Sequence, residues 1–210
     1  MATKIDVFDD VSAAGRALAR RNKALRHALK TIGAPHIRRR MDGFEGLFRI
    51  IVEQQVSVPS AQAIWARCEA AVDVSRHRAV ARLGVDGLRG LGLTGPKARY
   101  VAGLAQTLEE GAFDFAALNA LDDMAAMARL IELKGVGPWS AAIYLLFCEG
   151  RIDIWPTRDV ALKHAYGAAA GAPVEQAALD AAAGEWAPYR GVAAHILWTY
   201  YAHIRGRVPI

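Results

Sequence analysis

Apolar side chains recur along most of this chain at intervals of three and four residues, the period of an amphipathic α-helix. Strict alternation of apolar and polar positions, which is typical of a half-buried strand, is almost absent. The apolar positions with helical spacing include Val11, Leu18 and Leu25; Phe44, Leu47, Phe48 and Ile51; Ile64 and Cys68; and Met124, Met127, Leu130 and Ile131. Alanine, the strongest helix former, occurs 42 times in 210 residues. The pattern predicts an all-α fold.

Glycine and proline mark the predicted connections between these helices. They cluster at residues 33–35, 84–95, 111, 135–138 and 171–173. Because the connections are short, we expect successive helices to be antiparallel neighbours. The chain shows no long linker and no internal repeat. The sequence therefore predicts one unit over residues 1–210, with enough apolar residues, 53%, for one sizeable core or two small lobes.

Cysteine content and hydropathy exclude several classes of protein. Two cysteines, Cys68 and Cys148, cannot form a disulfide scaffold or ligate an iron–sulfur cluster. No apolar run reaches the roughly 18 residues of a membrane-spanning helix, and the N-terminus lacks the apolar core of a secretory signal. We therefore expect a soluble cytoplasmic protein without a membrane partner.

The charge of the chain is mildly basic. Its net charge is +5, with one dense cluster at residues 36–40 (His-Ile-Arg-Arg-Arg) and further basic residues at Arg20, Arg21 and Lys23. A basic excess suits an anionic partner such as nucleic acid, but a solvated face that keeps the protein soluble gives the same pattern. Charge alone leaves both interpretations open.

Residues 90–95 (Gly-Leu-Gly-Leu-Thr-Gly) match the glycine pattern of dinucleotide-binding loops. That pattern has its meaning only after a strand in a βαβ unit, and the preceding residues are predicted to be mainly helical. We therefore interpret the segment as a turn that leads from Gly95 into a helix near Lys97.

Residues 130–142 carry the most specific motif. An amphipathic helix is predicted to end at Leu133, and Gly135 and Gly137 allow a tight turn around Val136. Pro138 suits the first turn of the next helix, where its missing N–H costs nothing. The segment predicts a helix-hairpin-helix, whose turn exposes backbone N–H groups to a phosphate without reading sequence. A plain helical hairpin is the alternative.

Asp159 follows the hairpin by about twenty residues, in the segment Trp155-Pro156-Thr157-Arg158-Asp159. Pro156 or Thr157 is predicted to begin a helix, which places Asp159 in its first turn, where the helix dipole favours an ionised carboxylate. Taken alone, Asp159 is an ordinary helix-end acid. The hairpin before it favours a catalytic role.

The order of these segments resembles the helix-hairpin-helix DNA glycosylases, most closely those of the 3-methyladenine type. Residues 51–58 resemble the family's DNA-wedging segment, residues 92–99 its second DNA-backbone turn, residues 133–142 its hairpin, and residues 195–198 its aromatic C-terminal segment. The resemblance implies two helical lobes with the active-site cleft between them. The middle lobe would span about residues 42–150, and the other would combine residues 1–41 and 151–210.

The resemblance also assigns roles to individual residues. Asp159 falls on the catalytic aspartate, and Trp139 and Trp198 would stack on an extruded base. The DNA contacts would be Gln55 as the wedge with Gln54 beside it, and Gly95, Lys97, Lys134, Gly135, Val136 and Gly137 at the backbone. Main-chain carbonyls of Ile131, Leu133 and Val136 would hold a monovalent sodium or potassium ion, with no other cofactor required.

Two departures from the family pattern bear on chemistry. Trp139 stands where bifunctional members carry a lysine nucleophile, which implies a monofunctional enzyme that uses water and has no lyase activity. Ile143 and Val160 stand where relatives carry pocket tyrosines, which leaves the range of lesions open. We therefore expect a monomeric glycosylase that removes alkylated purines from double-stranded DNA. The alternatives are a glycosylase for mismatched adenine or uracil, and a non-catalytic helix-hairpin-helix DNA-binding protein.

Overall fold

The computed structural model describes Lys4 and residues 8–208. This part of the chain contains helices and no strand, apart from an isolated bridge between Lys4 and Arg151. Residues 1–3, 5–7 and 209–210 of the predicted second lobe lie outside the described residues. The helices are α1 (Phe8–Arg21), α2 (Lys23–Ile32), α3 (Phe44–Glu53), α4 (Val58–Ala71), α5 (His77–Gly90), α6 (Gly95–Glu109), α7 (Phe115–Ala120), α8 (Asp123–Ile131), α9 (Pro138–Phe147), α10 (Val160–Ala170), α11 (Gln176–Ala182), a 3₁₀ helix (Ala183–Trp186) and α12 (Arg190–Ile204). The all-α prediction is confirmed.

Polar residues cap the N-termini of five of these helices. Each side chain accepts a hydrogen bond from a backbone N–H of the first turn, which satisfies a donor that has no partner within the helix. The capping residues are Asn22 of α2, Ser57 of α4, Asp114 of α7, Asp122 of α8 and Asp159 of α10. Asn22 also explains why the apolar period from Val11 to Leu25 belongs to two helices, since it interrupts the first and begins the second.

Three predicted boundaries are wrong. The connection expected at residues 84–95 is helical up to Gly90, with a kink at Gly84 (φ 61°, ψ −175°), so the turn is limited to residues 91–94. Helix α8 ends at Ile131, two residues before the predicted end. Helix α10 begins at Val160, which makes Asp159 its N-cap and not a residue of its first turn. Local sequence preferences define the ends of helices only to within about one or two residues.

Two compact units can be distinguished. The first comprises residues 40–144, with α3 to α8 and most of α9. Its helix α3 packs against α4 and α6, and α5 packs against α6. The side chains of Leu47, Phe48 and Ile51 on α3 are fully buried, and the rings of Phe48 and Trp65 meet edge to face with centroids 5.2 Å apart. This unit carries the hairpin.

The second unit comprises the residues up to 39 and those from 145 onwards. Helix α12 packs against α10, α2 and α1. Leu18, Leu25 and Ile196 are fully buried in its core, and Trp186 packs against the rings of Trp155 and Tyr166. This unit carries Asp159 and Trp198.

The longest apolar run of the chain, residues 141–148, lies in helix α9 except for its last residue. Residues 141–148 are all buried, as expected for a helix that is apolar on every side. Its ten residues fall far short of a bilayer's thickness. Within the described residues, no helix combines the length and hydropathy needed to span a membrane.

Candidate active site

The turn between α8 and α9 forms the predicted hairpin. Within it, the Val136 N–H donates to the Leu133 carbonyl at 3.0 Å, and the Ala141 N–H donates to the Gly137 carbonyl at 2.9 Å at the start of α9. Pro138 is the first residue of α9, as predicted, while Lys134 and Gly137 are exposed. The helix-hairpin-helix is confirmed.

Gly135 lies directly against Tyr100 of α6. Its φ of 86° is in the left-handed region, and a Cβ added there would stand 2.3 Å from the Tyr100 ring. Only glycine permits both the backbone conformation and this close approach. The hairpin therefore packs against α6 through a contact that requires a residue without a side chain.

Gln54 connects the end of α3 to the same hairpin. Its side-chain Nε2 donates to the Gly135 carbonyl and to the Ser140 hydroxyl, both at 2.9 Å. The side-chain amide of Gln54 therefore forms its hydrogen bonds within the protein. The next residue, Gln55, is exposed and has a φ of 52°, which is uncommon for a residue with a side chain.

A contact with phosphate would require an exposed side chain, whereas Lys97 is buried. The residue is 8% exposed, and its ammonium donates to the carbonyls of Val52 at 2.7 Å and Gln54 at 2.5 Å. Burial lowers the pKa of this lysine. Gly95, two residues earlier, is the first residue of α6, and the preceding Thr94 makes no side-chain capping bond. Because α5 precedes this turn, the segment does not have the strand that a dinucleotide-binding loop needs.

Asp159 joins two elements of the second unit. Its Oδ1 accepts the Leu162 N–H at 2.9 Å, which caps α10, and the indole N–H of Trp198 on α12 at 3.4 Å. The residue is only 7% exposed. The helix dipole makes the N-terminus of a helix a favourable position for a negatively charged group. The structure therefore brings together the predicted catalytic acid and one of the two predicted base-stacking residues.

An aromatic cluster of Trp198, Phe147 and His195 supports the indole that contacts Asp159. The Trp198 ring meets Phe147 with centroids 5.3 Å apart and His195 with centroids 5.8 Å apart, both edge to face. Burial, helped by the nearby charges of His36, Arg38 and Arg39, lowers the pKa of His195 to about 3. The imidazole is therefore neutral at physiological pH.

The three arginines of the basic segment at residues 36–40 make contacts within the protein. The Arg38 guanidinium lies 5.1 Å from the centroid of the Phe147 ring, and Arg39 donates to the Phe147 carbonyl at 3.4 Å. Arg40 forms an ion pair with Glu53 at 2.5 Å. The contacts of Arg38 and Arg39 with Phe147 place cations at the C-terminal end of α9, where the helix dipole favours them.

The remaining predicted pocket residues differ in exposure. Trp139, the second residue of α9, is 39% exposed, and Val160 beside Asp159 is 63% exposed. Ile143 is buried in α9. Exposed apolar side chains next to a functional candidate are available to contact a ligand.

No cluster of three or more metal-ligating side chains occurs among residue 4 and residues 8–208. The predicted cation would be held instead by carbonyl oxygens of Ile131, Leu133 and Val136, which are hard ligands suited to such ions. The Leu133 carbonyl already accepts the Val136 N–H, and a carbonyl oxygen has a second lone pair. The donor set is compatible with the ion.

Comparison with known proteins defines the class. Residues 48–182 match the HhH-GPD superfamily of base excision DNA repair proteins, and the chain belongs to this superfamily. Two curated relatives of this chain, both with provisional names, are similar to it in sequence. A Bacillus subtilis DNA-3-methyladenine glycosylase is 30% identical over 122 residues, covering 57% of this chain and 42% of the relative. A Mycobacterium tuberculosis bifunctional transcriptional activator and DNA repair enzyme is 30% identical over 177 residues, covering 80% and 35%. The chain thus spans less than half the length of either.

The fold is also shared with a solved structure. A DNA-3-methyladenine glycosidase from Bacillus halodurans superposes with a TM-score of 0.80 at 24% identity, covering 100% of this chain and 96% of the other. At this identity the likeness establishes the fold alone. It confirms the helical glycosylase fold that the order of motifs predicts.

Among the residues that contact predicted site residues, sequence reasoning assigned no individual role to Ser140, Phe147 and His195. Ser140 accepts the Gln54 amide, and Phe147 and His195 pack against Trp198. Ser140 had one signal, because it is a small hydroxyl residue in an otherwise apolar helix. Phe147 had none, since an aromatic residue in a buried helix is ordinarily part of the core. His195 was included only as part of the C-terminal segment at residues 195–198.

Proposed function

We propose that this protein is a monofunctional DNA glycosylase of base excision repair that extrudes alkylated purines of the 3-methyladenine type and hydrolyses their N-glycosidic bond. The observation that carries the proposal is the buried Asp159 carboxylate at the N-terminus of α10, bonded to the Trp198 indole, in a chain of the HhH-GPD superfamily. The name of the Bacillus subtilis relative, a DNA-3-methyladenine glycosylase, supports the substrate class.

Binding to DNA would rely on backbone groups. Gly135, Val136 and Gly137 form a turn without bulky polar side chains at the N-terminal end of α9, and Lys134 beside it is exposed. Gly95 offers a second helix N-terminus at α6. Such ends attract phosphate through N–H groups and the helix dipole. The grip would be independent of base sequence.

Base extrusion needs a group that occupies the vacated space, because unstacking a nucleotide costs a few kcal/mol. Gln55 suits this role, since it is exposed at the end of α3 while Gln54 is bonded internally. Trp139 and Trp198 supply aromatic faces for the extruded base. A cationic alkylpurine would gain roughly 0.5–2 kcal/mol from each cation–π contact.

Hydrolysis would depend on Asp159. As the bond between the base and C1′ breaks, the electron pair leaves with the base and positive charge develops on the sugar. A carboxylate about 4 Å from that charge is worth about 4 kcal/mol at an effective dielectric constant near 20. Water then adds to C1′ and loses its proton, for which Asp159 is the candidate acceptor. A purine alkylated at N3 or N7 is already cationic, so it leaves without being protonated.

The test of this function is base release from a panel of duplexes. We expect release of 3-methyladenine and 7-methylguanine from methylated DNA, measured by chromatography of the free bases. Release of only uracil or of mismatched adenine would replace the substrate class. Tight binding to every duplex without release of any base would indicate a non-catalytic DNA-binding protein.

A second expectation concerns strand cleavage. Borohydride added during turnover should trap no covalent protein–DNA adduct, because Trp139 has no amine to form a Schiff base with the sugar. Abasic product should yield strand breaks only after heat or alkali, measured on denaturing gels. A known glycosylase/lyase serves as the positive control. An adduct in high yield that disappears in Lys134→Met would instead identify this exposed hairpin lysine as a nucleophile.

A further inference from the structure

Lys97 is a buried cation whose bonding suggests a purpose beyond packing. Its ammonium is held by two backbone carbonyls, those of Val52 and Gln54. Placing a charged group out of water is costly unless the groups around it compensate. A buried lysine is therefore expected where its hydrogen bonds hold something in place.

The two carbonyls lie at the C-terminal end of α3, which ends at Glu53. The last carbonyls of a helix have no partner within the helix, and the dipole makes this end negative. At Gln54 the backbone leaves the helix with φ −57° and ψ 128°. The Lys97 ammonium therefore takes the place of the missing next turn.

The Gln54 carbonyl belongs to the peptide group whose nitrogen is that of Gln55. Rotation of this peptide group about the N–Cα bond of Gln55 is the φ angle, which here is 52°. Residues with a side chain rarely adopt this conformation. A hydrogen bond of 2.5 Å from Lys97 to the carbonyl fixes the peptide plane and with it this φ angle.

A second anchor acts on the same short segment. The Gln54 side chain is bonded to the Gly135 carbonyl and to the buried Ser140 hydroxyl, which joins it to the hairpin. Gln55 is thus exposed at the end of a segment that is fixed at two places. Lys97 holds the Gln54 carbonyl, and the hairpin holds the Gln54 side chain.

We propose that Lys97 is a positioning residue, whose ammonium fixes the peptide group between Gln54 and Gln55 so that Gln55 is directed into the duplex when a base is extruded. This role rests on the proposed glycosylase function. It gives Lys97 an effect on base extrusion without a contact to DNA.

The test compares Lys97→Met with wild type on two duplexes. One carries 7-methylguanine opposite cytosine, and the other carries it opposite an abasic-site analogue, where there is no partner base to separate. Because the wedge compensates the cost of extrusion, we expect Lys97→Met to slow single-turnover excision about tenfold or more on the first duplex and less than about threefold on the second. Gln55→Ala should show the same difference, and the double variant should lose no more than either single variant.

Val80→Ala is the matched control, since it removes buried volume from α5 of the same unit at a residue that takes part in none of these hydrogen bonds. A purely structural effect would lower the rates on both duplexes equally, as in this control, and that result with Lys97→Met would overturn the proposal. Amide hydrogen exchange of residues 54–57 gives a second measurement, with faster exchange expected in Lys97→Met. If wild type releases no base, the proposed function fails, and unchanged exchange would overturn the positioning role independently.

Discussion

Asp159→Asn is expected to reduce the single-turnover rate of base excision by at least about a hundredfold, since a nearby carboxylate contributes about 4 kcal/mol to the charged transition state. Asparagine retains the shape of the side chain and an oxygen that can cap α10 and accept the Trp198 N–H. Asparagine and aspartate are nearly equivalent as N-caps, so the free energy of unfolding should change by less than about 1 kcal/mol. The measurements are excision rates, urea unfolding and affinity for an abasic-analogue duplex, which should stay within a few-fold of wild type.

Asp122→Asn is the matched control for this substitution. Asp122 caps α8 in the same way, accepting the Ala125 N–H at 2.8 Å, but it is exposed. It should excise bases at the wild-type rate. Near-normal excision by Asp159→Asn would remove Asp159 from the chemistry, whereas equal losses of activity and of DNA affinity would point to a binding role.

Gly135→Ala is expected to have the largest effect on the hairpin. A left-handed φ costs a non-glycine residue about 1–2 kcal/mol. The added Cβ would also stand 2.3 Å from the Tyr100 ring, and even the Tyr100 Cβ would be only 2.8 Å away, so a rotamer change of the ring cannot relieve the contact. With about 1–3 kcal/mol for the overlap, the free energy of unfolding should fall by roughly 2–5 kcal/mol. Below the unfolding transition, affinity for an abasic-analogue duplex should fall about tenfold or more as the turn moves out of position.

Gly111→Ala separates backbone strain from the overlap. Gly111 has a similar φ of 69°, and an added Cβ would meet nothing within 4 Å. This variant should lose only about 1–2 kcal/mol of stability and bind DNA as wild type does. If Gly135→Ala unfolds and binds like Gly111→Ala, then the contact with Tyr100 does not position the hairpin.

Local sequence signals predicted the parts of the site that depend on neighbouring residues. The spacing of Gly135 and Gly137 before Pro138 predicted the hairpin because these residue types have specific backbone preferences. Asp159 was recognised as a helix-end acid because capping is local, although the helix begins one residue after it. The continuation of helix α5 past the kink at Gly84 was missed because glycine-rich segments usually indicate turns, and its packing on α6 overrides that preference.

The sequence by itself determined the helical fold, the hairpin and the family, because apolar periodicity, turn chemistry and motif order are all written along the chain. Only the tertiary structure decided how the candidate residues are used. A lysine near a glycine-rich turn predicts a phosphate contact, since lysines are almost never buried without partners. Here the partners are carbonyls 45 and 43 residues earlier in the chain. The neutral state of His195 likewise follows from burial beside Phe147 and Trp198. Such contacts join distant segments, and no local pattern encodes them.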